Sequence, residues 1–479
     1  MTLTFEIVVG FVLAAVSFVV SLVASGHVVL YKRDSRAAIA WAGLIWLAPF
    51  VGTLLYVLLG INRIERRART LRTDTTLSSR PLCPTTDVKS GRVPDGRLIP
   101  TQLSRLVGRV TGQNLTHGNS IEPLCGGDEA YPAMLSAIES AQQTIGLSTY
   151  IFDDDDMGLK FANALSAARE RGVEVRVLID AVGATYGFST IATLEGLGVR
   201  VETFNPPLLP GRFRYANLRN HRKILTIDGQ IAFTGGMNIR GCCATSDDCP
   251  ASEDDLHFRL GGPIVRHVQD AFTADWSFAA SEELVGAGWY SELKPSGEYA
   301  ARGIVAGPDE PFDRLRLTLL GACQCANRSL RIVTPYFLPE ASLISALNVA
   351  ALRGVTVEIL LPEHGNQKLV QWACDAQLWQ LVGQGCDVRK TARPFDHSKL
   401  VIVDDEWVLM GSSNWDPRSL RLNFEFNVEC YGQKLAESLN ELFESKKAKS
   451  KQVTIDQLEA RSLPIKLRDG VARLATPFL

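Results

Sequence analysis

One motif occurs twice in this chain, and its duplication constrains the fold more than any other feature. His221-Arg-Lys223-Ile-Leu-Thr-Ile-Asp228 and His397-Ser-Lys399-Leu-Val-Ile-Val-Asp404 share the pattern H-x-K-x-x-x-x-D. An asparagine follows each histidine at the same spacing, Asn238 in Gly235-Gly-Met-Asn238 and Asn414 in Gly411-Ser-Ser-Asn414. A second repeat lies upstream: Arg171-Gly-Val-Glu-Val-Arg-Val-Leu-Ile179 recurs as Arg353-Gly-Val-Thr-Val-Glu-Ile-Leu-Leu361, each after an alanine-rich helical pattern. Helix, glycine and buried strand make an α/β unit, and another apolar strand candidate precedes each helix, over 144–152 and 329–337. Two similar α/β lobes are therefore expected, over 119–305 and 306–445.

Side chains two apart on a strand share a face, so each copy is expected to present an imidazole and an ammonium together. A single copy would fit a core strand with a hydrogen-bonded histidine at its edge. Two copies fit one composite site, in which two imidazoles divide nucleophilic and acid-base work at one phosphorus. Lys223, Lys399, Asn238 and Asn414 would then hold its non-bridging oxygens.

The chain up to Ile61 is of another kind. Residues 7–31 and 37–61 are each free of Asp, Glu, Lys and Arg, and each run is longer than the roughly 20 residues that span hydrocarbon. The loop Lys32-Arg-Asp-Ser-Arg36 would make them a transmembrane hairpin over 1–62, although Pro49 and Gly52 permit a kinked or re-entrant second segment. Met1 to Glu6 carry no Lys or Arg, which disfavours a cleaved signal peptide. Arg63, Arg66, Arg67, Arg69 and Arg72 outnumber the three basic residues of the loop, so positive-inside counting puts the body in the cytoplasm of a multi-pass protein of the cell membrane. Residues 63–118 read as a basic linker rich in Thr, Pro and Gly. The 50 Lys+Arg against 52 Asp+Glu lack the excess of a nucleic-acid binder.

With these residues in view, the chain resembles the phospholipase D superfamily, defined by the doubled motif, and within it the bacterial cardiolipin synthases. The closer resemblance rests on the paired N-terminal apolar segments, Val333-Thr-Pro-Tyr-Phe-Leu-Pro339, Gly411-Ser-Ser-Asn-Trp-Asp-Pro-Arg-Ser419 running to Asn423-Phe-Glu425, and Pro477-Phe-Leu. It implies two phospholipase D-type lobes, mixed sheets flanked by helices and related by pseudo-twofold symmetry. It also implies a phosphatidyl transferase that joins two phosphatidylglycerols and releases glycerol through a phosphohistidine. The implied catalytic set is His221, Lys223, Asp228, His397, Lys399 and Asp404, with Asp228 and Asp404 in more structural roles. Asn238 and Asn414 are phosphate-binding. An acid downstream of each motif orients its imidazole: by position Asp255, which follows the first motif, serves His221, and Glu425, which follows the second, serves His397. The first motif usually supplies the nucleophile in relatives.

No cofactor or metal is implied, because the two lysines supply the fixed positive charge, and no nucleotide signature G-x-x-x-x-G-K-[ST] occurs. Implied partners are phospholipid substrate and membrane, with no nucleic acid and no particular oligomeric state. A phospholipase that hydrolyses, a superfamily nuclease and a non-catalytic lipid-binding scaffold are the alternatives. The scaffold reading would require decay in one motif, and both are intact.

The ten cysteines (83, 125, 242, 243, 249, 323, 325, 374, 386, 430) form no zinc spacing and read as reduced thiols, with the 242, 243, 249 cluster as the alternative metal or redox site. Asp153 to Asp156 read as a solvated loop at the cleft mouth. His257 reads as local packing or headgroup contact. Lys446, Lys447, Lys449 and Lys451 open an expected basic tail, 446–479, solvated or touching anionic lipid.

Overall fold

The computed structural model describes residues 2–32, 35–60, 101–185, 188–205, 218–243, 252–308 and 313–476. The chain divides into two compact units, Met1–Thr70 and Leu71–Leu479.

In the first unit, α1 (Thr2–Tyr31) contains a 24-residue apolar segment, Val8–Tyr31, the one helix among the described residues long and apolar enough to cross a bilayer. The second apolar run, expected as another span, is broken into α2 (Ser35–Leu47) and α3 (Pro49–Leu55). Proline disfavours helical backbone in the residue before it, and Ala48 is non-helical with φ −140° and ψ 74°. Two straight spans are thus not what forms. The runs still fold back on each other: Ala24, Val28, Ile45 and Tyr56 are buried together, and His27 Nδ1 lies 2.8 Å from the Tyr56 hydroxyl.

The second unit is a mixed α/β body. Its first half holds β1 (Thr116–Cys125), β2 (Thr144–Thr149), β3 (Glu174–Asp180), β4 (Arg200–Phe204), β5 (Arg219–Asn220), β6 (Ile224–Ile227), β7 (Ile231–Gly235), β8 (Glu253–Asp254) and β9 (Leu256–Gly261). The second holds β10 (Tyr299–Ala306), β11 (Ser329–Val333), β12 (Thr356–Pro362), β13 (Asp387–Thr391), β14 (Phe395–Asp396), β15 (Leu400–Val403), β16 (Trp407–Gly411), β17 (Asn423–Tyr431) and β18 (Ser450–Gln452). All but β8 and β14 join one sheet. From the centre outward the first half runs β1-β9-β7-β6-β2-β3-β4 and the second β10-β17-β16-β15-β11-β12-β13-β18, so the same order is laid down twice. Antiparallel pairing of β1 with β10 joins the halves. The sequence repeats fall where this order needs them: Gly172 (φ 91°) and Gly354 (φ 92°) turn each chain from helix into β3 and β12 through left-handed backbone.

Helices cover the sheet. In the first half α5 (Gly126–Ser140), α6 (Asp156–Glu170) and α7 (Val265–Ala280) do so, and in the second α8 (Arg314–Cys325), α9 (Ala341–Leu352) and α10 (Gln433–Ala448). Ahead of them all, α4 (Thr101–Thr111) lies inside the expected linker yet is ordered helix: Leu103 and Val107, four apart, enter the core beside Leu315 and Leu319. The expected basic tail is also largely folded. α10 runs to Ala448, β18 adds an edge strand antiparallel to β13, and Ala472 is buried in the second core. Pro477-Phe-Leu lies outside the described residues, as does most of the linker.

Where β10 meets β17, Arg302 and Glu429 face each other as a fully buried ion pair, 3.0 Å apart. Arg302 also donates to Ser104 of α4, and Glu429 accepts from the Trp407 indole. Removing one partner strands a charge in the interior. Arg302→Met should therefore cost about 3–5 kcal/mol in denaturant unfolding, and adding Glu429→Gln should recover part of that loss. A single variant as stable as wild type would contradict this.

Candidate active site

The apolar run of each motif forms β6 or β15, but the His and Lys do not lie on the strand as expected; they stand in the segment just before it. What holds that segment is the opposite lobe. β5 pairs in parallel with β17 (Arg219 with Asn423, Asn220 with Phe424), and the His221 amide donates to the Phe424 carbonyl at 2.9 Å. In the same way β14 pairs with β8 (Phe395 with Glu253, Asp396 with Asp254), and the His397 amide donates to the Asp254 carbonyl at 2.6 Å.

Pairing of the strands sets pairing of the side chains. His221 Nδ1 lies 3.1 Å from Glu425 Oε2, and His397 Nδ1 lies 2.8 Å from Asp255 Oδ2. This reverses the expected order, which gave Asp255 to His221 and Glu425 to His397. Distance along the chain was the wrong measure, because each acid-bearing strand docks on the other lobe's motif. With Nδ1 engaged, each ring keeps Nε2 for chemistry.

The lysines fold back onto their own histidines: Lys223 Nζ donates to the His221 carbonyl at 2.7 Å, and Lys399 Nζ to that of His397. Burial lowers both lysines, Lys223 to about 7. Burial also lowers both imidazoles; Glu425 opposes this at His221, whereas Lys399 adds to it at His397. Lys223 and His221 further lower His397, and Lys399 lowers His221, so the two motifs share one electrostatic site.

The two acids differ. Burial alone would raise Glu425, but His221, Lys223 and the Ser412 hydroxyl outweigh it and hold the carboxyl below its usual value. Asp255 is pushed up to about 7 by burial, against Lys399 and the Leu256 amide. One of the two differences between the repeated loops contributes: Ser412 donates to Glu425, whereas its counterpart Gly236 has no side chain, and a Cβ there would meet the Asp255 carboxylate.

Asn238 Oδ1 accepts from the Ile151 amide at 3.1 Å, which leaves its NH₂ to donate; Asn414 is buried at the matching position. Asp228 and Asp404, named with the catalytic set, are not brought to the imidazoles. They end β6 and β15 with φ 53° and 55° and cap turns. Asp228 accepts from the amides of Gln142, Gln143 and Thr144, and Asp404 from those of Asn327, Arg328 and Ser329.

Several residues of the site were missed by sequence reasoning. Tyr150 places its ring 5.1 Å from that of His221, and Tyr336 sits 6.2 Å from His397 with its hydroxyl donating to Asn366. Asp180, at the end of the repeated strand, accepts from the Asn220 amide. Of these only Tyr336 stood in a quoted motif. His257 is buried with neither ring nitrogen hydrogen-bonded, and burial lowers it to about 3. That fits packing, not headgroup contact. It does have a structural twin, Asn427, since Gly235 faces His257 as Gly411 faces Asn427.

Three of the four aspartates are engaged, and Asp156 is exposed as expected. Asp153 pairs with Arg240 at 3.0 Å, Asp154 accepts from Ser189, and Asp155 caps α6. Cys242, Cys243 and Glu253 bring three possible ligand atoms within 4.8 Å, while Arg240 stands 3.6 Å from Glu253 and already supplies a positive charge. Cys249 lies outside the described residues. The eight described cysteines are free thiols.

Both imidazoles being lowered, the neutral ring that a nucleophile or base requires persists below pH 6.5. The acid limb of kcat/KM should accordingly lie below that value. Glu425→Gln removes the charge that raises His221, so it should move that limb lower still while cutting the rate by about 10²–10⁴. An unmoved limb with wild-type rate would contradict the His221–Glu425 pairing.

Comparison with known proteins adds independent findings. The family described as "Cardiolipin synthase, PLD-like domain" matches residues 134–276 and 319–447, and "Phospholipase D-nuclease N-terminal" matches 19–60. The major cardiolipin synthase ClsA of Bacillus subtilis is 30% identical over 94% of this chain and 96% of its own. A cardiolipin synthase of Geobacillus thermodenitrificans is 29% identical over 99% of this chain and 94% of its own. Among solved structures, the phosphatidylserine synthase of Haemophilus influenzae superposes with a TM-score of 0.61 at 15% identity, over 79% of this chain and all of that one.

Proposed function

The chain belongs to the cardiolipin synthase family of the phospholipase D superfamily, and from that premise we propose that it moves a phosphatidyl group from one phosphatidylglycerol to another. The observation that carries this reading is the pair of buried imidazoles, each with Nδ1 on a carboxylate of the opposite lobe and a lysine on its own carbonyl. Two such rings suit a double displacement. Nε2 of one, neutral, attacks phosphorus; the P–N bond forms, the P–O bond to the leaving glycerol breaks, and the other ring, entering as imidazolium beside the phosphate anion, gives its Nε2 proton to the alkoxide. The headgroup hydroxyl of a second phosphatidylglycerol then returns a proton to that imidazole and attacks phosphorus, and the P–N bond breaks. The products are cardiolipin and glycerol. One phosphodiester replaces another, so no nucleotide is needed to drive the exchange.

Lys223 and Lys399, with the amides of Asn238 and Asn414, are assigned to the non-bridging oxygens, where fixed donors stabilise the charge that builds at phosphorus. Asp255 and Glu425 orient the rings, while Asp228 and Asp404 hold the turns behind them. Lysines with burial-lowered pKa values are poised to be recharged by a phosphate anion. A site this buried favours a lipid hydroxyl over bulk water as acceptor.

Membrane association follows from the family and from α1. We place α1 across the cell membrane with the broken second run beside it and the body on the cytoplasmic side. The arginines from Arg63 to Arg72 support that side.

The test is to give the reconstituted protein labelled phosphatidylglycerol in vesicles. Cardiolipin and glycerol should appear in equal amounts; phosphatidic acid as the main product would establish a hydrolase instead. His221→Ala and His397→Ala should each lose at least about 10²-fold in rate. Retention of a tenth of the activity by either variant would overturn the two-histidine reading.

A further inference from the structure

We propose that Asp275 and Lys446 are positioning residues, one for each histidine–acid pair, acting through a bracket built twice with its charge inverted. The two histidines sit in the same local turn. Asn220 Oδ1 accepts from the Arg222 amide at 3.1 Å across His221, and Asp396 Oδ1 accepts from the Ser398 amide at 3.0 Å across His397. Each turn is an Asx turn, whose second side-chain atom remains to be anchored.

A helix supplies the anchor in each lobe. From α7, Asp275 accepts from Asn220 Nδ2 at 2.9 Å and from the Arg222 guanidinium, and Arg222 Nε donates to the Glu425 carbonyl at 3.1 Å. From the last turn of α10, Lys446 Nζ reaches Asp396 Oδ2 at 2.8 Å, Ser398 Oγ at 3.2 Å and Asp254 Oδ2 at 2.7 Å. Asp275 thus ties both neighbours of His221 to the backbone of Glu425. Lys446 ties both neighbours of His397 to the residue before Asp255. The anchors occupy corresponding places, Asp275 following Asp255 at nearly the same remove along the chain as Lys446 follows Glu425.

The chemistry is complementary at each end. An anion on α7 meets an amide and a guanidinium; a cation on α10 meets two carboxylates and a hydroxyl. Asp275 is buried and the Lys446 side chain is only 9% exposed, so each anchor is largely shielded from the solvent that weakens a surface pair. Neither anchor touches an imidazole. Their effect runs through the backbone turn that carries the ring and through the strand that carries the acid, which is where a small displacement costs rate without costing substrate affinity. Lys446, which sequence reasoning assigned to a basic tail, faces the interior.

The proposal rests on the two-histidine reading above, and its test has an arm that does not need turnover. In the full-length protein, Lys446→Met should lower kcat on phosphatidylglycerol vesicles by about tenfold or more while KM changes less than about twofold, and Lys446→Arg should restore most of it. By NMR of ring-labelled histidine, Lys446→Met should move the His397 Nδ1 signal and leave that of His221 in place, and Asp275→Asn should do the reverse. Should Lys446→Met alone fail to fold, Lys446→Met/Asp396→Asn removes the stranded carboxylate as well and carries the same readouts. Folded variants with both signals unmoved, or with both moved alike, overturn the proposal. Absence of cardiolipin formation by the wild type would count against the proposed function and leave the signal test standing.

Discussion

The hydrogen bond between the imidazole of each repeated motif and a carboxylate from the other lobe is the interaction on which the rest of this structure depends. A lobe on its own would present a histidine and a lysine with no acid to hold the ring, and an acid with no ring to hold. Crossing the pairs makes the duplicated fold one site. The short parallel pairings β5–β17 and β8–β14 enforce the crossing, and the antiparallel junction of β1 with β10 keeps the two halves in the register those pairings need. The Arg302–Glu429 ion pair, buried on the strands beside that junction, belongs to the same device.

Burial then does electrostatic work that exposed groups could not. Burial shifts two imidazoles and two lysines toward their neutral forms, and in the proposed reaction an arriving phosphate anion meets donors that gain charge by binding it. The near-symmetry is broken where Ser412 stands in one loop and Gly236 in the other. Ser412 helps keep Glu425 ionised, while Gly236 leaves Asp255 without such a donor, and Asp255 is pushed up to about 7. The acid of one dyad thus gives up its proton more readily than the acid of the other, the kind of inequality that lets two like residues take different roles.

Much of this was legible in the sequence because duplication repeats its signal. The histidines, lysines, asparagines and both acids were visible, and so were the α/β units, since helix, glycine and apolar strand recur in the same order. Partnership was not visible. Glu425 follows His397 in the chain, but hydrogen bonds form across strands, and no spacing along one chain reports which strand docks where. Lys446 was misread for a related reason: a close run of lysines resembles a solvated tail, and only the packing of α10 turns one of them inward. In 101–111 the apolar spacing of Leu103 and Val107 was short and set among polar residues, so an ordered helix passed for linker. Pro49 did signal its break, which the structure places at Ala48.

The crossed pairing is tested most directly by following the Nδ1–H resonances of His221 and His397 in protein labelled at its seven histidines, with Asp255→Asn and Glu425→Gln compared against wild type. Asp255→Asn should shift the His397 resonance alone, and Glu425→Gln that of His221 alone. The opposite assignment, with each acid acting on the histidine of its own lobe, would contradict the account.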